Sequence, residues 1–393
     1  LPGKPGKLTL DSSFFSQTKD CWLNKSSLPD LPLKIWKPSD NMIEPNLVKH
    51  EIPVLFGQPG LQKKDNQIHI NLDIFGSAFF MLSRYEEFVK TDRDNHSRFP
   101  ATASIAHKEG FLDRPIINEY LEILCCCLSE VWPKTSYKKR NRNNFITCDV
   151  DWPFEPALYS FVHCLKKIAR SLIKEKNFKK ALDTGVTFFA KRLGLTVEDN
   201  YRNAISWMMD VNEKAGNQIA FYFITHNTSS LDTLDDKDFD TLRMRSLLNE
   251  ISSRGHEIGI HPGYETFRNL KTLEKTVVNL KTILKEENIG QKVIGGRQHF
   301  LRWDVKHTPY IWDKMGIDYD TSLSFADKPG FRCGVCYEFS MYDLENRRKL
   351  LLKQKPLIVM ECSIIASRYE GMGYSEDSLK RFMYFKEVTR KFK

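Results

Sequence analysis

The pattern of apolar and polar positions changes character near residue 144. Before it, short apolar runs are broken by Pro, Gly and Asn. Ile52 to Phe56 and Ile68 to Leu72 read as strands, the second alternating polar with apolar side chains as a strand with one buried face does. Phe79 to Phe88 and Ile116 to Val131 read as helices. Together they predict a smaller α+β domain over residues 1–138, followed by a polar, basic linker from Ser136 to Asn144.

From Phe145 onward helical periods and short buried strands alternate. Phe145 to Cys148 is a strand that ends in acidic residues. Helical segments follow through Phe189 and over Tyr201 to Ala215. Ile219 to Ile224 has no polar alternation, as expected of a strand buried on both faces. Phe239 to Arg254 predicts a helix, Glu257 to Ile260 a strand, Leu273 to Glu287 a helix, and Val293 to Ile294 a strand. Leu357 to Met360 reads as a strand leading to Glu361, and an amphipathic helix starts at about Ser375. Such alternation predicts an α/β fold with a parallel sheet or barrel, whose chemistry gathers at the C-terminal ends of the strands.

Composition adds limits. A chain of 393 residues holds two domains or one large domain with an extension, and its apolar content is that of an ordinary globular protein. The net charge of +9 is concentrated in Lys138-Lys139-Arg140 and in a Lys-rich helix around Lys166 to Lys180. A solvated basic surface accounts for it; an anionic glycan, nucleic acid or membrane surface is the alternative. Nothing resembles a nucleic-acid module. The nine cysteines lack a disulfide spacing, which favours a reducing compartment such as the cytoplasm. Cys125-Cys126-Cys127 lies in an apolar helical run, and Cys333-x-x-Cys336 has no second pair to complete a zinc site. No stretch is apolar enough to span a bilayer and no signal peptide opens the chain, although a start at Leu1 fits a trimmed or processed product. Nothing sets the oligomeric state.

Three polar clusters fall at predicted strand ends. Asp149 and Asp151, two apart on an extended chain, point to one side. A divalent ion lets one ligate while the other stays free as a base; a loop with an N-cap and a turn aspartate is the alternative. The second cluster is Gly255-His256-Glu257-Ile258-Gly259-Ile260-His261-Pro262-Gly263-Tyr264-Glu265. There Pro262 suits the first position of a helical turn, so that His261 and Glu265 converge on one ion, or His261 is a hydrogen-bonded core residue. The third is Gly295-Gly296-Arg297-Gln298-His299-Phe300-Leu301-Arg302-Trp303. In it Arg297 pairs with a carboxylate and Trp303 stacks on a sugar ring, or the two form a surface ion pair and a partly buried aromatic.

Threonine with two close aspartates, then Gly-His-Glu-Ile-Gly-x-His, then Arg-x-x-aromatic, resembles the polysaccharide deacetylase family (carbohydrate esterase family 4, NodB-like) over roughly residues 144 to 330. The preceding Ser83-Arg84-Tyr85-Glu86-Glu87 and His96-Ser97-Arg98-Phe99-Pro100 resemble an uncharacterised domain found ahead of a bacterial, mainly Bacteroidetes-type, branch of these enzymes. The resemblance implies a distorted (β/α) barrel over residues 144–393, a divalent metal, commonly zinc, and a glycan substrate. It makes Asp149 the general base, Asp151 and His261 metal ligands, and Arg297 the residue that orients and ionises Asp149. Tyr264, Trp303, Asp320 and Arg332 become candidate substrate contacts.

The chain departs from the family in three places. Glu265 stands where a second ligand His is usual, which makes the site more anionic and shifts metal preference towards harder ions. His299 stands where Pro is frequent and can serve as substitute ligand or acid. No His follows His307, so the family's late general-acid His is absent from this sequence. Truncation before that motif is the expectation, a degenerate site the alternative. The implied function is metal-dependent removal of N-acetyl groups from an amino-sugar polysaccharide or glycan precursor. A small-amide amidohydrolase and a non-catalytic carbohydrate-binding protein are the competing readings.

Overall fold

The computed structural model describes residues 6–137, 144–234 and 236–392. The basic run Lys138-Lys139-Arg140, most of the expected linker, Leu1 and Lys393 lie outside the described residues. Contacts divide the chain into two compact units. One is Leu1–Asn143 with Thr266–Leu273 and Gly295–Lys393; the other is Asn144–Glu265 with Glu274–Ile294.

In chain order the strands are β1 (Lys7–Leu10), β2 (Lys34–Trp36), β3 (Ile52–Val54), β4 (Gly57–Lys64), β5 (Gln67–Leu72), β6 (Ile146–Val150), β7 (Ile219–Phe223), β8 (Glu257–Ile260), β9 (Gly295–Gly296), β10 (Tyr319–Asp320), β11 (Phe339–Asp343) and β12 (Arg348–Gln354). They form a three-stranded sheet β1-β5-β4, a pair β2-β3, and a seven-stranded, mostly parallel sheet in the order β11-β12-β10-β9-β8-β7-β6. β6 with β7, β7 with β8, β9 with β10 and β10 with β12 pair in parallel, while β11 runs antiparallel to β12. The fold class is α/β; the sheet order itself carries no closure into a barrel.

In the first unit β5 alternates as the sequence predicts, burying Ile68, Ile70 and Leu72 and leaving Gln67, His69 and Asn71 half-buried. The helix Ile116–Val131 packs against this sheet, burying Ile116, Tyr120, Ile123 and Cys127. The single helix expected over Phe79 to Phe88 is instead two, Ile74–Leu82 and Tyr85–Val89. Asp73 caps the first, accepting from Gly76 N–H at 2.7 Å. Arg84 interrupts them in the left-handed region, φ 55°. Leu357 to Met360 forms no strand, and Glu361 begins a short helix, Glu361–Ile365. The helix expected from Ser375 runs Glu376–Lys391 behind a Ser375–Ser378 capping box.

In the second unit every residue of β7 is buried, between parallel neighbours β6 and β8. Parallel strands need helical crossovers. Between β6 and β7 these include Phe161–Ile173, Phe178–Arg192 and Asn200–Lys214; between β7 and β8 the chain forms two helices, Asp236–Phe239 and Leu242–Ser253, where one was expected.

All nine cysteines are unbridged. Burial pushes the Cys333 thiol up to about 11 and Cys336 to about 12, so the Cys-x-x-Cys is a packed loop of unreactive thiols.

Candidate metal centre

In the second unit β6 delivers Asp149 and Asp151 to its C-terminal end, and β8 delivers His261. His261 is buried and fixed through its backbone, whose N–H donates to Phe223 O at the end of β7 (2.7 Å). Its Nε2 lies 3.5 Å from Asp151 Oδ1. A charge-assisted hydrogen bond is shorter, about 2.7–2.9 Å. Two donors each about 2.1 Å from one tetrahedral ion stand about 3.4 Å apart. The pair therefore has the spacing of two ligands of a common ion. Thr233 Oγ1 donates to Asp151 O at 2.5 Å and holds the loop that carries this carboxylate.

The turn after β8 differs from the expectation. Residues 261–263 have no helical structure, so four-residue helical spacing does not direct Glu265 towards His261. Instead buried Asp232 takes over the loop, accepting from Tyr264 N–H, Thr228 N–H and Thr228 Oγ1, each at 2.8 Å. Glu265 N–H donates to Thr228 Oγ1 at 3.1 Å, while the residue is exposed. A Cβ at Gly263 would stand 2.6 Å from both Asp232 Oδ2 and Thr228 Oγ1, so only glycine fits beneath the loop. Sequence reading missed Asp232, Thr228 and Thr233. Their one signal was a Thr- and Asp-rich loop directly after a buried strand.

His256, beside the same motif, is a strut. Its Nδ1 accepts from Ile219 N–H at 3.3 Å and its Nε2 faces Glu213 at 3.1 Å, which ties the N-terminal ends of β7 and β8 together.

Beside the acidic pair a cleft of about 450 Å³ opens, walled by Val150, Trp152, Tyr201, Ala204, Ile205 and Met208. Asp199 fixes its helical wall, accepting from Tyr201 and Arg202 N–H at 3.1 and 3.2 Å and from Glu155 N–H.

In the first unit the residues around β9 and β10 form a buried polar cluster. Gly295 is required: a Cβ there would stand 2.0 Å from the Tyr319 ring. Asp320 is fully buried and accepts at Oδ1 from Ser322 N–H (2.7 Å) and Oγ–H (2.5 Å). Burial pushes its carboxyl up to about 6, against the pull of Ser322, Arg297 and Trp303. Arg297 Nε donates to Thr321 O at 3.3 Å. Trp303 is 1% exposed, so its rings are core rather than a platform open to a sugar. Arg332, 2% exposed, is equally withdrawn. Its Nε and Nη2 grip Glu87 at 2.8 and 2.6 Å and its Nη1 donates to Ser324 O at 2.6 Å. Arg84 Nε shares Glu87 Oε1 at 2.8 Å. Burial raises the Glu87 carboxyl, but the Arg332 and Arg84 guanidiniums more than reverse this and hold it below the usual range. A glycan has no route to that guanidinium without breaking the triad.

Among the described residues of the second unit, Asp151 and His261 are the two side chains that offer donor atoms to one metal ion.

Residues 7–133 match a family of unknown function, DUF7033. No curated protein matches the chain. A solved structure from Mycobacterium smegmatis, provisionally described as a polysaccharide deacetylase, aligns at 16% identity and a TM-score of 0.32, over 54% of this chain and 57% of that one. The chain thus spans little more than half the length of that protein.

Proposed function

We propose that the chain is a metal-dependent hydrolase that removes N-acetyl groups from an amino-sugar polysaccharide or glycan precursor. The observation that carries this reading is the Asp151–His261 pair, held at ligand spacing at the C-terminal ends of β6 and β8, the two strands that flank β7. With His299, proposed as a third ligand, it would supply one carboxylate and two imidazoles, a donor set that suits zinc. A zinc ion held there would supply Lewis acidity, polarising the amide carbonyl and lowering the pKa of water.

The protein's own groups do the rest. Asp149, on the same strand end as Asp151, takes the proton of the attacking water and returns it to the amine nitrogen as the C–N bond breaks. Arg297 is the countercharge proposed to keep Asp149 ionised, and Asp232 fixes the loop behind His261 so that its imidazole does not swing. Tyr264 and Asp320 remain proposed glycan contacts, although both are buried in this conformation. A (β/α) barrel over residues 144–393, following an N-terminal domain over 1–138, and a cytoplasmic location belong to the same proposal.

The apolar cleft beside Asp149 gives the small-amide reading its own support. A sugar offers hydroxyls that Val150, Trp152, Ile205 and Met208 cannot satisfy, whereas an apolar amide fills such a wall. Acetate release from chitooligosaccharides by zinc-loaded protein, abolished by Asp149→Asn, supports the glycan reading. Turnover of small aryl amides without acetate release would replace it.

A further inference from the structure

Between β6 and β7 the second unit carries a helical hairpin whose outer face nothing in its own fold needs. Helices Phe161–Ile173 and Phe178–Arg192 are joined by four residues and pack together, as an antiparallel αα-hairpin does. The seam between them is small: Cys164, Ala157 and Phe188, with Ile168 at its margin. Each helix carries a second apolar stripe that faces solvent. On the second helix Phe178, Leu182, Val186, Phe189 and, just past its end, Leu193 recur at intervals of four, four, three and four, the period of a single helical face. Phe178 is 81% exposed and Leu193 79%. On the first helix Phe161, Val162, Leu165 and Ile173 are likewise exposed. Both stripes are displaced from the buried seam in the same rotational sense along the chain. In an antiparallel pair this brings them to one side of the hairpin. A continuous apolar face of this kind is rare on a protein that meets only water.

The charges around it choose the partner. Residues 161–195 hold nine Lys and Arg against two acidic residues, a net +7, in a chain whose whole net charge is +9. Lys166 borders the first stripe and Lys179 and Arg192 the second, while Lys167 and Lys180 turn to the opposite face and pair with Glu155 and Glu175, each at 2.8 Å. Apolar side chains rimmed by long cationic ones match the boundary of an anionic bilayer, where the stripe enters the acyl region and the lysines reach the headgroups. A protein partner needs no such excess of one sign. Among the described residues no helix is long and apolar enough to cross a membrane, so the contact is peripheral. We infer that this hairpin docks the chain onto the surface of an anionic phospholipid membrane. The inference stands independently of the metal centre.

The test is co-sedimentation of the full chain with vesicles of phosphatidylcholine alone and of phosphatidylcholine mixed with phosphatidylglycerol. Binding is expected only to the mixed vesicles and to weaken as salt is raised. Lys166→Glu with Lys179→Glu should lower partitioning by roughly fivefold or more per lysine. Phe178→Ser with Phe189→Ser should lower it by at least about tenfold. These side chains are exposed, so the fold survives, which circular dichroism verifies. Absence of binding to the mixed vesicles overturns the inference, as does binding indifferent to the phenylalanine pair. A dimer seen by light scattering that the serine variant loses, without vesicle binding, assigns the face to a second copy instead.

Discussion

Glu87 sits where two guanidiniums converge away from water, and its removal strands both. Breaking a buried ion pair from one side costs about 3–5 kcal/mol, because the remaining charge stays desolvated. Glu87→Gln is therefore expected to lower the urea unfolding free energy by that amount, and a loss under about 1 kcal/mol would mean that water reaches the triad. Asp320 makes a prediction of opposite kind. Its folded-state value of about 6 lies above the ordinary aspartate value of about 4. The native chain thus holds that proton more tightly than the unfolded chain, and this contribution to stability is complete at low pH and lost as pH rises through about 6. Compared with Asp320→Asn, the wild type should lose about 2 kcal/mol of relative stability between about pH 4 and about pH 7. Parallel curves for the two proteins would show that the carboxyl is not buried. Sequence singled out Asp320, Trp303 and Arg332 as candidate substrate contacts. Residue type and strand-end position were legible; burial was not, because Arg332 meets its partner Glu87 across 245 positions of chain.

Elements with a strong pattern of their own were the legible ones. Ile219–Phe223 needs no context to be a central strand, since it has no polar position to offer solvent, and the helix Ile116–Val131 is set by its apolar period. Where a long-range contact decides, local pattern misleads. The strand expected at Val293 and Ile294 forms two residues later, at Gly295–Gly296. Tyr319 lies flat against Gly295, and this packing selects two glycines that have no strand propensity. Gly295→Ala places a carbon inside the ring's contact distance and should destabilise the protein by about 3 kcal/mol, as overpacking does. Adding Tyr319→Leu should recover part of the lost thermal midpoint. No recovery would show that the strand pair depends on something other than this contact. The helix expected through Phe88 breaks at Arg84, which directs its guanidinium to Glu87, and Ile358 spends its carbonyl on Gly330 N–H at 2.9 Å rather than on a neighbouring strand.

At the scale of the whole molecule, the residues that match the family of unknown function are bonded to the chain's C-terminal third within one compact unit. Arg98 donates to Phe300 O and Arg302 to His96 O, each at 2.9 Å, which braces the turn that carries His299. The triad of Arg84, Glu87 and Arg332 adds a buried tie. Residues 144–393 expressed alone should therefore fail to fold, leaving Arg332 buried and unpaired; a soluble, cooperatively unfolding fragment would contradict this. The juxtaposition of Asp151 with His261 was legible from the spacing of acidic and His residues at strand ends; the part proposed for Asp149 rests on the same spacing. Glu265 was placed by assuming a helical turn, but residues 261–263 are not helical and the Glu265 N–H donates to Thr228 Oγ1.

The central claim is that Asp151 and His261 are ligands of one ion, and elemental analysis tests it most directly. Purified full-length chain, dialysed against zinc and then washed, should retain about one equivalent of metal. Asp151→Ala with His261→Ala should retain none, while Glu265→Ala, removing a group outside the cluster, should retain as much as the wild type. Wild-type protein that holds no zinc, cobalt, nickel or manganese, or a double variant that holds as much as the wild type, would contradict the account.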